Sequence, residues 1–261
     1  MTANRMNVSE AFEGPSTRHE VRIEECGEPL VAIPADGRFV FADPHPYVSI
    51  GAPYGNATPF VIRLSVVAAL EKAAMLLDEF HPGWKFKIYD AYRPIEVQAF
   101  MIDHVADSYC RMVAGILLNE AEDEIRERAY AHAHGIWAPA VDDPLAPPPH
   151  STGAAVDLTI VDEDGRELDM GSLIDEHENA HPDAFEESDH PDADTFQKNR
   201  NMLKSFMEAA GFSRLAHEWW HFSLGDQHAV FEKMKKGFVQ KDSTAKYGRA
   251  TLGAVNVDVE I

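Results

Sequence analysis

The segment His150-Ser-Thr-Gly-Ala-Ala-Val-Asp157 stands just after a proline-rich loop, residues 139–149, in a chain of 261 residues. The prolines exclude regular structure in that loop and stiffen the approach to His150. The small and β-branched residues from Ala154 to Val161 predict a strand, and Gly153 permits close backbone approach just before it. The strand therefore carries Asp157, with His150 held near its beginning.

A second segment, Glu218-Trp-Trp-His221, follows about sixty residues later. Its aromatic residues favour a strand from Glu218 to Leu224. His150, Asp157 and His221 could converge on one divalent metal, and Glu218 would remain as a free carboxylate. Three protein ligands, an open position for water and a base are what a catalytic zinc hydrolase needs. Glu218 and His221 would face opposite sides of a regular strand, so a bulge or the end of the strand must redirect one of them.

Other interpretations of these residues remain open. A single histidine or aspartate is more often a surface or hydrogen-bonded residue than a ligand, so the metal site rests on the joint arrangement. His217-Glu-Trp-Trp-His221 also matches the His-Glu-x-x-His motif, in which two histidines one helical turn apart bind zinc. We favour the strand, because a helix has just ended at Gly211 and Trp-Trp-His-Phe-Ser prefers extended structure.

A second group of potential ligands lies in the acidic stretch that begins at Asp175. No spacing in it fixes a ligand set, and polar loops of this length are often lids over active sites. We therefore interpret it as a solvated flap. Its members are His177, His181, Asp183, Asp189, His190 and Asp192.

The third informative segment is Asp90-Ala-Tyr-Arg93-Pro94. The apolar residues from Val66 to Phe80 follow helical spacing, and residues 84–89 alternate like a strand with one buried face. The strand delivers the segment to its end, and Pro94 is placed to open the next helix. Arg93 therefore sits at a strand-to-helix junction. From the residues alone it could form a structural salt bridge with Asp90 or serve the site.

Further elements follow from the remaining patterns. Residues 119–132 have helical character, residues 162–165 form a hairpin-type turn, and a helix runs from about Thr195 to Gly211. Strands and helices that do not alternate regularly favour an α+β fold, a single domain with a central, mainly antiparallel sheet and helices packed against it. We assign residues 1–261 to this domain and expect flexible ends at 1–20 and 241–261.

The charge composition excludes some classes of binding partner. Acidic residues outnumber basic ones by 44 to 23, a formal net charge of -21 that disfavours nucleic acid and anionic membranes. A small cationic or zwitterionic substrate is compatible with that charge. The start has no secretory signal, and no apolar run spans a bilayer, so we expect a cytoplasmic protein. Cys26 and Cys110 form no recognisable pair, and nothing in the sequence indicates an oligomeric state.

Together, the segments at 90–94, 150–157 and 218–221 resemble those of the D-alanyl-D-alanine dipeptidases, members of the zinc D,D-peptidase family that includes the dipeptidases of vancomycin resistance. The resemblance spans roughly residues 55–225 in the family's order. It implies a zinc D,D-peptidase (Hedgehog-like) fold, one zinc ion per chain, and a role for each of seven residues. The implied ligands are His150, Asp157 and His221; Glu218 is the implied general base, Arg93 the oxyanion stabiliser, and Asp175 and Ser151 the substrate-binding residues.

The resemblance also implies a reaction, the hydrolysis of D-alanyl-D-alanine or a close D,D-dipeptide to free D-amino acids through a zinc-bound water. Two alternatives stay open: a D,D-carboxypeptidase acting on peptidoglycan stem peptides, and a non-catalytic zinc-stabilised binding module. The sequence departs from the family at Pro148, where a serine is usual, and at Thr152, where an arginine is frequent. A hydroxyl expected to contact the substrate is therefore missing.

Overall fold

The computed structural model describes residues 15–250. These residues contain seven strands: β1 Leu30–Ala32, β2 Phe39–Phe41, β3 Val61–Arg63, β4 Lys85–Asp90, β5 Ala155–Val161, β6 Ser213–Arg214 and β7 His221–Ser223. Five of them form one sheet in the order β2-β4-β5-β7-β6, and β1 pairs with β3 in a small ribbon. Only β2 and β4 pair in parallel within the large sheet. The predicted α+β fold with a mainly antiparallel sheet is therefore confirmed.

Six α-helices complete the described part of the chain: α1 Pro46–Ser49, α2 Leu64–Phe80, α3 Ile95–Ala114, α4 Asp123–Ala133, α5 Ala193–Ala209 and α6 Gln227–Lys235. The predicted helical face of α2 packs into the main core, with Val66, Leu70 and Leu77 fully or almost fully buried. Phe80 is an exception, since its position in the last turn leaves it 68% exposed. α2 and α5 contact each other, and the sheet supplies the rest of this core.

A second, smaller core lies beside the first and is built from α3 and α4. Tyr47 and Trp137 pack into it together with apolar residues of both helices. The helix predicted over residues 119–132 is here a short 3₁₀ helix, Leu118–Glu120, followed by α4. This second core brings α1 and the segment around Trp137 to the edge of the large sheet, where the polar residues of the sequence motifs gather.

Several predicted boundaries move in the structure. α3 begins at Ile95, because Pro94 serves as its N-cap rather than its first residue. The helix predicted from about Thr195 begins at Ala193 and ends at Ala209. The predicted strand from Glu218 to Leu224 is wrong at both ends, since β7 covers His221–Ser223 alone. The residues just before β7 are held by other contacts, including the hydrogen bond from Trp219 N to Ala180 O.

Two segments near the ends of the described chain contact each other. The segment before β1 bridges to the C-terminal segment through Ile23 and Ala245, and Tyr247 is fully buried. Residues 1–14 and 251–261 of the expected flexible ends lie outside the described residues. Cys26 is exposed and Cys110 is buried, and they form no disulfide with each other. No helix between residues 15 and 250 is long and apolar enough to cross a membrane.

Candidate metal centre

The register of the large sheet places three polar residues in one row across it. Asp157 on β5 pairs with Asp90 on β4 on one side and with His221 on β7 on the other. Directly paired residues of neighbouring strands project to the same face with Cβ atoms about 5 Å apart. The row therefore brings the Asp157 and His221 side chains together, although 64 positions separate them in the sequence.

His150 joins this row from outside the sheet. It lies in a 3₁₀ helix, Pro149–Thr152, that ends at Gly153 with φ of 68°, a left-handed conformation that favours glycine. A Cβ atom at Gly153 would also overlap the Leu30 side chain. The backbone oxygen of Ala91 accepts a hydrogen bond from His150 Nδ1 at 2.7 Å, which leaves Nε2 free to act as a ligand.

The three candidate ligands meet at distances that suit a single metal ion. His150 Nε2 lies 3.2 Å from Asp157 Oδ2 and 3.1 Å from His221 Nδ1, and His221 Nδ1 lies 3.0 Å from Asp157 Oδ1. Ligand atoms about 2.1 Å from one tetrahedral zinc ion would be separated by about 3.4 Å. All three side chains are buried, and Asp157 Oδ1 has no hydrogen-bond partner. Among the described residues, this is the one group of histidine, cysteine and acidic side chains that could hold a metal ion.

Charge within the group also favours a cation. Burial by itself would raise the pKa of Asp157, but His150 and His221 hold that pKa well below its usual range. Asp157 is therefore a carboxylate at neutral pH. Two imidazole nitrogens and one carboxylate make the donor set that zinc accepts in catalytic sites. The residues present fit a zinc ion.

Glu218 lies beside this group, just before β7 begins. Its Oε2 is 3.9 Å from His221 Nδ1. Because Glu218 precedes the strand, it can approach the same group as His221 without a bulge, which resolves the conflict expected from the sequence. Burial, together with the nearby Asp157 and Asp175 carboxylates, holds the pKa of Glu218 well above its usual range. A buried carboxyl group with a raised pKa holds a proton more readily than an exposed one, as a general acid-base group must.

Arg93 is buried, pairs with Asp90 and lies beside the candidate metal ligands. Its Nε atom donates to Asp90 Oδ2 at 2.9 Å, Nη2 forms an ion pair with the same oxygen at 2.8 Å, and Nη1 donates to Gln98 Oε1 at 2.9 Å. Nη2 also reaches Asp157 Oδ2 at 3.4 Å, which places it beside the candidate ligands. The guanidinium carbon stacks 4.5 Å from the centre of the Trp137 ring. Burial opposes the charge, but the surrounding acidic groups raise the pKa of Arg93 above its usual value.

Asp175 reaches the same cavity through a partner that sequence analysis missed. The Tyr47 hydroxyl donates a hydrogen bond to Asp175 Oδ2 and accepts one from Arg93 Nη2 at 3.3 Å. Asp175 adopts a left-handed backbone conformation with φ of 64°, which non-glycine residues seldom adopt. Burial, reinforced by Asp157, raises the pKa of Asp175 to about 6. The family resemblance singled out Asp175, whereas no motif marked Tyr47.

The two other histidine-containing segments singled out in the sequence form no metal site among the described residues. His217 is exposed and lies in a bend outside any helix, so the two-histidine helix is not formed. The predicted flap is anchored from below, because the buried Arg200 donates to His181 O at 2.7 Å and to Asn179 O at 2.9 Å. The six polar residues that defined the predicted flap are all exposed, whereas Ala180 and Phe185 of the same stretch are buried.

The Ser151 side chain is placed differently from the other predicted site residues. It is buried and donates to Pro148 O at 2.7 Å. His150, Asp157, Asp175, Glu218, His221 and Arg93 all line one cavity of about 550 Å³, whereas Ser151 is absent from its wall. A volume of this size suits a small ligand rather than a folded polypeptide.

Comparison with known proteins identifies the family. The sequence profile of the family described as D-ala-D-ala dipeptidase matches residues 41–241, most of the chain. The D-alanyl-D-alanine dipeptidase of Synechocystis sp. is 40% identical over 216 residues, which cover 79% of this chain and 86% of that protein. The chain belongs to the D-Ala-D-Ala dipeptidase family. It is therefore a metallopeptidase, as the resemblance implied.

Other members of the family are more distant. The D-alanyl-D-alanine dipeptidase of Escherichia coli is 34% identical over 143 residues, covering 54% of this chain and 56% of that protein. Two solved structures are weakly similar, each with 16% sequence identity. The LdcB LD-carboxypeptidase has a TM-score of 0.42, with 84% of this chain and 78% of that chain covered. The vancomycin resistance D,D-pentapeptidase VanY, in complex with Zn(II), has a TM-score of 0.40, with 70% and 82% covered.

Proposed function

We propose that this protein is a zinc-dependent dipeptidase that hydrolyses D-alanyl-D-alanine or a close D,D-dipeptide to free D-amino acids. The observation that carries the proposal is the buried Glu218 carboxyl 3.9 Å from His221, beside three converging ligand-type side chains in one cavity. A group that only bound metal for stability would need no such acid-base residue. The relatives named D-alanyl-D-alanine dipeptidases support the choice of substrate.

In this proposal His150, Asp157 and His221 hold the zinc ion. When bound there, zinc supplies Lewis acidity toward the scissile carbonyl and favours ionisation of water near neutral pH. Glu218 takes the proton from the attacking water and passes it to the amine that leaves when the peptide bond breaks. Its raised pKa suits both halves of this transfer, because the group must accept a proton and then release it.

Arg93 and Asp175 act on the substrate rather than on the proton. The Arg93 guanidinium, held rigid by Asp90 and Gln98, provides a fixed positive charge for the oxygen on which negative charge develops. Asp175, together with the Tyr47 hydroxyl, receives the ammonium group at the N-terminus of the dipeptide. An ammonium group paired there would favour a substrate with no residue before its first D-amino acid.

The test is release of free D-alanine from D-alanyl-D-alanine by the purified, zinc-loaded protein, compared with Glu218→Gln. We expect the variant to lose about 10²- to 10⁴-fold in kcat, as is typical when a general acid-base group is removed. Glu124→Gln, on the exposed side of α4, is the matched control and should retain full activity.

The two alternatives predict different results in the same assay. Release of D-alanine from an N-acylated D-alanyl-D-alanine peptide, but not from the free dipeptide, would point to a D,D-carboxypeptidase. Folded, zinc-bound protein that cleaves neither substrate would point to a binding module. The cytoplasmic location expected from the sequence stays a prediction that cell fractionation can test.

A further inference from the structure

A second arginine lines the catalytic cavity and has no role in the mechanism above. Arg18 belongs to the 3₁₀ helix Arg18–Glu20 and lines the same cavity as Glu218 and His221. It lies outside the three sequence segments that carry the family resemblance. Its side chain makes no hydrogen bond or ion pair with any other residue between 15 and 250, so its donors are available to a ligand.

The other long cations of the cavity wall are already engaged. Arg93 donates to Asp90, Gln98, Tyr47 and Asp157, as described above. Lys235 forms an ion pair with Glu232 at 3.0 Å. The described part of the cavity wall contains three arginines and lysines, Arg18, Arg93 and Lys235. Of these, Arg18 can pair with an anionic group of a ligand without breaking an existing hydrogen bond or ion pair.

The segment that carries Arg18 is held in place by the body of the protein. Val21 is buried against Val230 and Met234, which belong to α6. Gln227, at the start of α6, donates to Val21 O at 2.7 Å and to Leu145 O, in the proline-rich loop, at 2.9 Å. Arg18 is therefore presented to the cavity by a packed segment, which reduces the entropy lost when the side chain pairs with a ligand.

Arg18 also lies within electrostatic range of Glu218, the proposed general base. Burial holds the pKa of Glu218 high, and the Arg18 charge opposes that shift. The same cavity wall contains Asp175, the proposed partner of the substrate ammonium group. The cavity therefore offers both an anionic and a cationic side chain to a zwitterionic dipeptide.

We propose that Arg18 binds the C-terminal carboxylate of the dipeptide and so selects substrates in which a free carboxylate follows the scissile bond by one residue. This inference rests on the proposed function. A guanidinium can pair with a carboxylate through two parallel hydrogen bonds, which fixes orientation as well as charge.

The experiment compares two substrates that differ only at the C-terminus: D-alanyl-D-alanine and D-alanyl-D-alaninamide. The zinc-loaded full chain is assayed with each, beside Arg18→Gln, Arg18→Lys and the matched control Arg22→Gln. Arg22 lies four residues from Arg18 but is exposed, and it is absent from the cavity wall. Circular dichroism and metal content establish that each variant is folded and loaded.

We expect Arg18→Gln to lower kcat/KM for the free acid about 10- to 150-fold, mainly through KM, because a hydrogen bond to a charged group is lost. Hydrolysis of the amide should change less than about twofold. Arg18→Lys should retain part of the preference for the acid, and Arg22→Gln should retain all of it.

Other results would overturn the inference in distinguishable ways. Equal losses for acid and amide in Arg18→Gln would show that Arg18 supports the structure and does not bind the carboxylate. No change with either substrate would show that the carboxylate binds elsewhere. Failure of the wild-type protein to cleave either substrate would refute the proposed function, and the carboxylate role would fall with it.

Discussion

Asp90 is expected to be more important for stability than any surface acid, because it balances the charge of buried Arg93. Asp90 is fully buried, its Oδ2 accepts a hydrogen bond from Arg93 Nε at 2.9 Å, and Arg93 Nη2 forms an ion pair with the same oxygen at 2.8 Å. Asp90→Asn keeps the shape of the side chain but removes its charge. The NH2 group of the asparagine can also face the Arg93 guanidinium, which would place donors against donors.

The expected cost follows from the contacts that remain. Removing one partner of a buried ion pair destabilises a protein by about 3–5 kcal/mol. Arg93 would keep its bond to Gln98 at 2.9 Å and a longer contact with Asp157 at 3.4 Å. We therefore expect the lower end of that range, about 3 kcal/mol, which is a large part of the roughly 5–15 kcal/mol that holds a typical domain folded.

The assay is urea unfolding at pH 7 in the presence of a chelator, so that metal binding does not contribute to the measured free energy. Asp123→Asn is the matched control, because Asp123 also pairs with an arginine three residues later, Arg126, but its side chain is 94% exposed. That change should cost less than about 0.5 kcal/mol. In a double-mutant cycle, Arg93→Gln should remove most of the cost of Asp90→Asn.

Two results would refute this reasoning. A loss below about 1 kcal/mol in Asp90→Asn would mean that the Arg93 charge is balanced by other groups, contrary to the typical cost of an unpaired buried charge. Additive effects in the double mutant would mean that Asp90 stabilises the fold through contacts other than Arg93. Tyr54, whose hydroxyl donates to Asp90 Oδ1 at 3.0 Å, would then be the first alternative partner.

Three further predictions concern the metal, the pH dependence and the backbone. His221→Ala should abolish zinc binding measured by atomic absorption, whereas His217→Ala, at an exposed position, should retain it. Loss of zinc in His217→Ala would instead support the alternative in which His217 and His221 bind zinc from one helix. Asp175, with its pKa of about 6, loses its negative charge as the pH falls through 6, so KM for the dipeptide should rise there. Asp175→Asn should have a high KM without this pH dependence. In Gly153→Ala a new methyl group meets Leu30 of β1, so this change should lower the free energy of unfolding in urea by about 1–3 kcal/mol more than Gly27→Ala. Gly27 has a similar φ but open space around it. Equal losses in the two variants would show that the backbone at Gly153 relaxes around the methyl group.

Elements determined by interactions between neighbouring residues were predicted more accurately than elements determined by contacts between distant residues. α2 and β4 were predicted within a residue or two, because helical spacing and strand alternation are properties of neighbouring residues. His150 and Asp157 belong to one segment, in which Gly153 and the strand residues of β5 determine how the two side chains come together. The strand around His221 was predicted too long, because the backbone of Trp219 pairs with Ala180, in a loop distant in sequence, instead of continuing the strand.

The residues that sequence reasoning missed or left uncertain are those placed by distant parts of the chain. Tyr47 reaches Asp175 because His45 caps α1: the Nδ1 atom of His45 accepts the Tyr47 N–H at 3.2 Å, and its Nε2 atom lies 3.4 Å from Asp90. Arg18 reaches the cavity because its segment packs on α6, more than two hundred residues later. No periodicity or motif encodes such contacts.

The sequence by itself therefore determined the chemistry of this protein: an α+β fold, a metallopeptidase family and the residue types that can hold a metal and move a proton. Only the tertiary structure decided how those residues combine. The sheet register brings Asp157 to His221, the end of a strand lets Glu218 share their site, and Ser151 is turned away from the cavity. The physical reason is that side-chain type and local spacing are written in the chain, whereas a site is formed by burial and pairing between segments far apart in it.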